Sequence, residues 1–92
     1  MSYEKEVKNV IVKALEAKDD VEAKEISLDG FIFEAVNNGK SKNLHSTGKD
    51  IEISISQEEN DEKVLKSIII YDGVQDLDGF AKFSGEYLKQ VL

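Results

Sequence analysis

Arginine, cysteine, proline and tryptophan are all absent from this chain of 92 residues. The missing arginine removes the planar fork that pairs bidentately with phosphate and guanine and stacks on bases, the commonest tool of direct nucleic-acid readout. Without cysteine there is no disulfide framework, no thiolate nucleophile and no zinc site of the cysteine type, though the redox compartment stays open. With no proline, no low-complexity stretch and no break in composition, nothing marks a domain boundary. Residues 1–92 read as a single α+β domain, long enough to bury roughly 60–70% of its unfolded surface. Long apolar runs are missing too: the longest, Ile68 to Tyr71, falls far short of a membrane span. Met1 to Asn9 alternates charge with apolarity and contains no apolar core of signal-peptide length, so a soluble cytoplasmic protein is expected.

What the chain has in excess is negative charge. Charged residues make up 34% of it, with 19 Asp and Glu against 12 cations, all lysine, for a net charge of −7. Such a chain is repelled by the nucleic-acid backbone and by anionic lipid, so direct nucleic-acid or membrane binding is not expected and the natural partner is a basic protein. Lysine codons are A-rich and most arginine codons are not, which fits an A/T-rich genome such as that of a low-GC bacterium or its phage. The expected setting is therefore a bacterial or phage-infected cell.

Apolar spacing supplies the architecture. Ser2 can cap a helix in which Tyr3, Val7, Val10, Ile11, Ala14 and Leu15 recur at three- and four-residue intervals, ending between Lys18 and Val21. "VEAKE", residues 21–25, favours helix by composition. Ile26 and Leu28 share a face before Asp29-Gly30, a strong hairpin signal because both turn positions favour positive φ. Phe31, Phe33 and Ala35 then alternate with Ile32, Glu34 and Val36. After a polar stretch to Asp50, Ile51, Ile53 and Ile55 alternate with Glu52, Ser54 and Ser56. "QEENDE", residues 57–62, reads as a polar connection, and Val64 to Tyr71 as a fourth strand rich in β-branched side chains. Asp76 is a candidate N-cap for a last helix carrying Leu77, Phe80, Ala81, Leu88 and Val91, with Phe83 and Tyr87 adjoining. Gly79 and Gly85 each cost a helix about 1 kcal/mol, so packing must hold it. The expected fold is two-layer α+β, order αββββα, with N- and C-terminal helices on one face of a four-stranded antiparallel sheet.

Three stretches invite chemistry and do not support it. "NLHSTGKD", residues 43–50, ends like a phosphate loop, but Asn43 replaces the first glycine, Asp50 replaces the hydroxyl, and a strand follows where a helix should. His45, the only histidine, has Ser41, Ser46 and Thr47 nearby, but sequence neighbours on a loop are not a triad. Asp76, Asp78 and Gly79 fit three positions of a calcium loop whose first and last ligand positions would fall on Val74 and Gly85, so capping explains them better. No catalytic residue, cofactor or metal is expected, and the chain is not read as an enzyme. The polar 38–50 stretch, with Lys40, Lys42 and Lys49, is either a basic island for an acidic patch or a solvated connection.

Carboxylates carry the functional expectation. In a meander, Asp29 and the run Glu58, Glu59, Asp61 and Glu62 fall at one end of the sheet, while Asp19, Asp20, Asp72, Asp76 and Asp78 fall at the other. Two such rims, on the order of 30 Å apart, can mimic nucleic-acid phosphates before a basic groove. These residues, apart from Asp19 and Asp20, are the expected partner-binding set. A second surface is apolar. Ile68 and Ile70 are read on one face of the fourth strand, with Leu65, Ile69 and Tyr71 on the other, and helices can cover only one. Ile32, Val36, Ile69 and Tyr71 are the expected self-association set, unless a helix wraps onto the second face.

The helix–three-strand–helix order of double-stranded-RNA-binding domains is similar in outline, but their basic surface is missing here. In size, acidity and helix–sheet–helix order the chain also resembles small phage-encoded anti-CRISPR inhibitors. That resemblance covers gross architecture, carries no diagnostic motif and transfers no functional residue. It implies an acidic inhibitor or immunity-type factor for a nuclease or other nucleic-acid-processing protein. The alternative is a structural or adaptor subunit that forms a homodimer through the sheet's outer face or edge.

Overall fold

The computed structural model describes residues 2–16, 22–37, 51–72 and 76–92. Helix α1 (Glu4–Glu16) is followed by strands β1 (Glu22–Ile26), β2 (Ile32–Asn37), β3 (Ile51–Glu59) and β4 (Glu62–Tyr71), then helix α2 (Leu77–Val91). The strands form one open antiparallel sheet in the order β1-β2-β3-β4, as the alternating patterns predict.

One face of that sheet is the core. Phe33, Ala35, Ile51, Ile53 and Ile55 are fully buried beneath Val7, Val10, Ile11 and Ala14 of α1. Each such large aliphatic contributes about 1.5–3 kcal/mol by leaving water. The inner face is the one set by period-two alternation, with Phe33 opposite Ile55 and Ala35 opposite Ile53. Helix α1 packs on β1, β2 and β3, whereas α2 packs on α1 and touches the sheet at β4. There the Tyr71 and Phe80 rings meet with centroids 5.1 Å apart.

The local signals were right in kind and sometimes wrong in detail. "VEAKE" gives way to strand from Glu22, because Ala23 must fill a small space under α1 (7% exposed) while Glu25 reaches Lys13 at 2.7 Å. Tertiary contacts thus outweigh helix propensity. The expected end of α1, between Lys18 and Val21, lies outside the described residues. Its start is held by Tyr3, not Ser2: the Tyr3 carbonyl accepts from Val7 N–H at 3.0 Å, and its own N–H donates to the Gly85 carbonyl at 3.4 Å.

The turn at Asp29-Gly30 differs as well. Gly30 alone is left-handed (φ 86°), its N–H bonds Ser27 O at 3.0 Å, and Ser27 and Phe31 flank a three-residue loop of the type I plus bulge kind. The Ser27 hydroxyl, buried, accepts from Phe31 N–H at 3.0 Å. Ile26 and Leu28, expected to share a face, are both exposed, Leu28 at the turn itself.

Helix α2 begins as expected, with the Asp76 carboxylate accepting from Gly79 N–H at 3.0 Å. Gly85 is buried in the helix interior because α1 lies against it. A Cβ there would sit 2.5 Å from the Glu4 nitrogen and 2.8 Å from the Glu4 Cα. Backbone cannot yield as a side chain tip can, so Gly85→Ala should destabilise by about 1–3 kcal/mol despite the better helix propensity of alanine. Urea denaturation of the variant checks this, and a gain in stability would contradict the close approach.

Candidate functional site

The β3–β4 hairpin gathers exposed acidic residues at one end of the sheet. Residues 57–62, expected to be a polar connection, instead end one strand, turn and begin the next. Asn60 and Asp61 both adopt left-handed backbone (φ 52° and 66°), the two-residue turn whose twist matches the strands it joins. Asparagine and aspartate tolerate that conformation better than other non-glycine residues. Because β2 stops at Ile32 opposite Ser56, the pairs Gln57–Val64, Glu58–Lys63 and Glu59–Glu62 continue without a β2 neighbour. The hairpin projects about 10 Å past β2, at roughly 3.3 Å per residue.

Glu58, Glu59, Asp61 and Glu62 are all exposed on this projection. Glu59 stands directly opposite Glu62, a like-charge cross-strand pair that disfavours the hairpin unless a cation intervenes. Lys66 intervenes, its ammonium donating to Glu59 Oε1 at 2.8 Å.

The remaining expected acidic residues have structural work. Asp29 lies at the β1–β2 turn, at the same sheet end as the hairpin, where its Oδ2 accepts from the Tyr3 hydroxyl at 2.9 Å. At the opposite end, Asp76 caps α2 and Asp78 binds Lys8 at 2.6 Å. That carboxylate raises the Lys8 pKa through its hydrogen bond and its charge. Asp72 and Asp76 both lie close enough to Tyr71 to raise its pKa, after the larger effect of burial. The described members of the two rims lie at opposite ends of the sheet, and they are unequal: the hairpin carboxylates project, whereas Asp76 and Asp78 help to hold α2. Asp19, Asp20, His45 and the 38–50 lysines lie outside the described residues. Among the described residues no group of three or more His, Asp or Glu is arranged to hold a metal ion, and no helix is long and apolar enough to cross a membrane.

The apolar surface also differs from expectation, for a specific reason. A β-bulge between Ile55 and Ser56 places Ile55 opposite Ser67 and Ser56 opposite Leu65, leaving Lys66 as the extra residue. One added residue reverses which side chains face outward. Leu65 consequently joins Ile68 and Ile70 on the outer face, 56%, 47% and 54% exposed. Ile69 and Tyr71, expected on the self-association surface, face the helices instead: Tyr71 is buried and Ile69 packs on the core. Val36 and Ile32 do lie on the outer face, Val36 half-buried and Ile32 buried. The Lys63–Glu34 pair, 2.6 Å, spans β3 from β4 to β2 on this same face. Phe83, 78% exposed on α2, belongs to the apolar surface, although the sequence places it only beside the helical stripe. With Ile68, Ile69, Phe80, Ser84 and Tyr87 it lines a groove of about 380 Å³ beside β4.

No family model, no curated protein and no solved structure matches this chain.

Two details of these surfaces are testable. Ser56 is 3% exposed, and its hydroxyl has no hydrogen-bond partner. An orphaned buried hydroxyl costs free energy, so Ser56→Ala should be neutral or stabilise by up to about 1 kcal/mol in chemical denaturation. A larger loss would mean that the hydroxyl is bonded. Burial first, then the Asp29 hydrogen bond, pushes the Tyr3 phenol from 10.0 up to about 12. The unfolded chain thus releases this proton first as pH rises. The stabilisation is intact below about pH 10 and is lost on the way to about pH 12. Tyr3→Phe should flatten that part of the stability profile, and an unchanged alkaline slope would count against the Tyr3–Asp29 bond.

Proposed function

We propose that this protein works by contact as a small inhibitor or immunity-type factor, inserting the acidic β3–β4 hairpin into a basic site of a nucleic-acid-processing partner in a bacterial or phage-infected cytoplasm. The observation that carries the reading is the hairpin itself: residues 57–62 hold four carboxylates on a projection extending past β2, against one lysine, Lys63, among the projecting pairs. The Glu59–Glu62 opposition adds to it, since a lysine or arginine from a partner relieves a repulsion that Lys66 answers from one side only. The net charge of −7 steers such a partner over distances that short-range contacts cannot reach. A fixed two-residue turn keeps the carboxylates preorganised, so little ordering entropy is lost on docking.

The test uses basic nucleases as bait at low and high salt. Capture should weaken steeply with added salt, and the triple variant Glu58→Gln, Asp61→Asn, Glu62→Gln should bind roughly tenfold or more weakly while keeping its fold. Asparagine at 61 preserves the left-handed turn, so charge is removed without unmaking the hairpin. Capture that ignores both salt and the triple substitution would sink the proposal.

A further inference from the structure

The two edges of the sheet are unlike. Strand β1 is five residues long and carries Glu22, Lys24 and Glu25, a short charged edge of the kind that discourages pairing. Strand β4 is ten residues long, and only its hairpin half is protected in this way, by Lys63, Lys66 and the bulge. Its other half, Ser67 to Tyr71, carries no charge and no irregularity. Exposed apolar groups flank that half on both sides: Ile68 and Ile70 on the outer face, and the groove with Phe83 and Tyr87 on the helix side. On α2, Phe80, Phe83, Tyr87 and Val91 follow one another at three- and four-residue spacing, and the last three are 78%, 47% and 50% exposed.

We propose that a second copy of this chain covers this edge, β4 pairing antiparallel with β4 about a twofold axis at Ile69, so that the two sheets become one continuous eight-stranded sheet. The segment's own order selects a copy of itself. In this register Ile68 of each copy lies opposite Ile70 of the other, which closes four exposed isoleucines into one outer cluster. Ile69 meets its own counterpart on the helix side. Lys66 and Asp72, of opposite charge, flank the uncharged segment, so an antiparallel copy brings a lysine and an aspartate to the same end wherever the apolar stretch stops. A slip of one residue would set outer-face side chains against helix-facing ones. The two grooves adjoin, with Phe83 and Tyr87 of each copy along the shared seam. Net charge does not oppose this arrangement. Asp61 lies about 26 Å along the strand from Ile69, so the two acidic tips point to opposite ends on the order of 50 Å apart, many screening lengths at physiological salt.

Sedimentation or light scattering at tens of micromolar should report twice the chain mass, unchanged by high salt and by the triple hairpin substitution. Ile70→Lys with Phe83→Glu should weaken the dimer by about thirtyfold or more with an unchanged circular dichroism spectrum, whereas Leu28→Lys, on the turn beyond the other edge, should leave it intact. The chain has no cysteine, so Ile68→Cys with Ile70→Cys gives a clean geometric probe: oxidation should yield an interchain disulfide, and Ile26→Cys alone should not. A monomer at these concentrations overturns the proposal. So does a dimer that survives the edge substitutions and fails to cross-link.

Discussion

The seating of α2 on α1 governs what this molecule shows to its surroundings. Gly85 lets the two helices approach to backbone contact, and Tyr3 and Glu4, at the start of α1, occupy the space that any side chain at 85 would need. Drawn toward α1, α2 covers the inner face of β4 only in part, where Phe80 meets Tyr71. The groove beside Ile69, the exposed Phe83 and the open β4 edge all follow from that placement. A larger residue at 85 would push α2 away from its neighbour and change the apolar surface along with the stability.

Charge is used in two distinct ways. Asp29, Asp76 and Asp78 satisfy a tyrosine, a helix N-terminus and a lysine, and so join elements distant in sequence. Exposed contacts of this kind contribute modestly, and their value lies more in orientation than in stability. The hairpin carboxylates, by contrast, crowd one another. The proposed inhibitor reading rests on that contrast, since a projection whose like charge Lys66 relieves from one side only still attracts a basic partner.

Most of the fold was legible because most of it obeys simple periods. Phe33 and Ala35, and the three isoleucines of β3, alternate without interruption, and Val7, Val10, Ile11 and Ala14 repeat at helical spacing. The failures occurred where a single residue changes the count. Nothing in "EKVLKSIIIY" announces that Lys66 is looped out, because a bulge is a property of two strands and not of one. Counted from the turn without it, Ile68 to Tyr71 exchange faces, and that one shift misplaced Ile69 and Tyr71, half of the expected self-association residues. The Asn60-Asp61 turn was hidden for another reason. The glycine that usually marks such turns is missing, so six polar residues looked like a loop. The acidic run itself was visible as composition, but its projection depends on β2 ending early, which the sequence of β3 and β4 does not encode.

Every strand pairs with its neighbour in the chain, so the sheet assembles from local contacts that close quickly. The Tyr3–Gly85 contact is the opposite case, joining segments near the two ends of the chain. Closing so long a loop costs entropy that only a nearly complete core can offset. The carboxyl-terminal helix rests on α1 and touches the sheet at β4, so a local opening that lifts it breaks few contacts with the sheet. Its transient release would lay bare Ile69 and Tyr71 beside the one sheet edge already primed for addition, which makes this seam the natural starting point for aggregation as well as for orderly assembly.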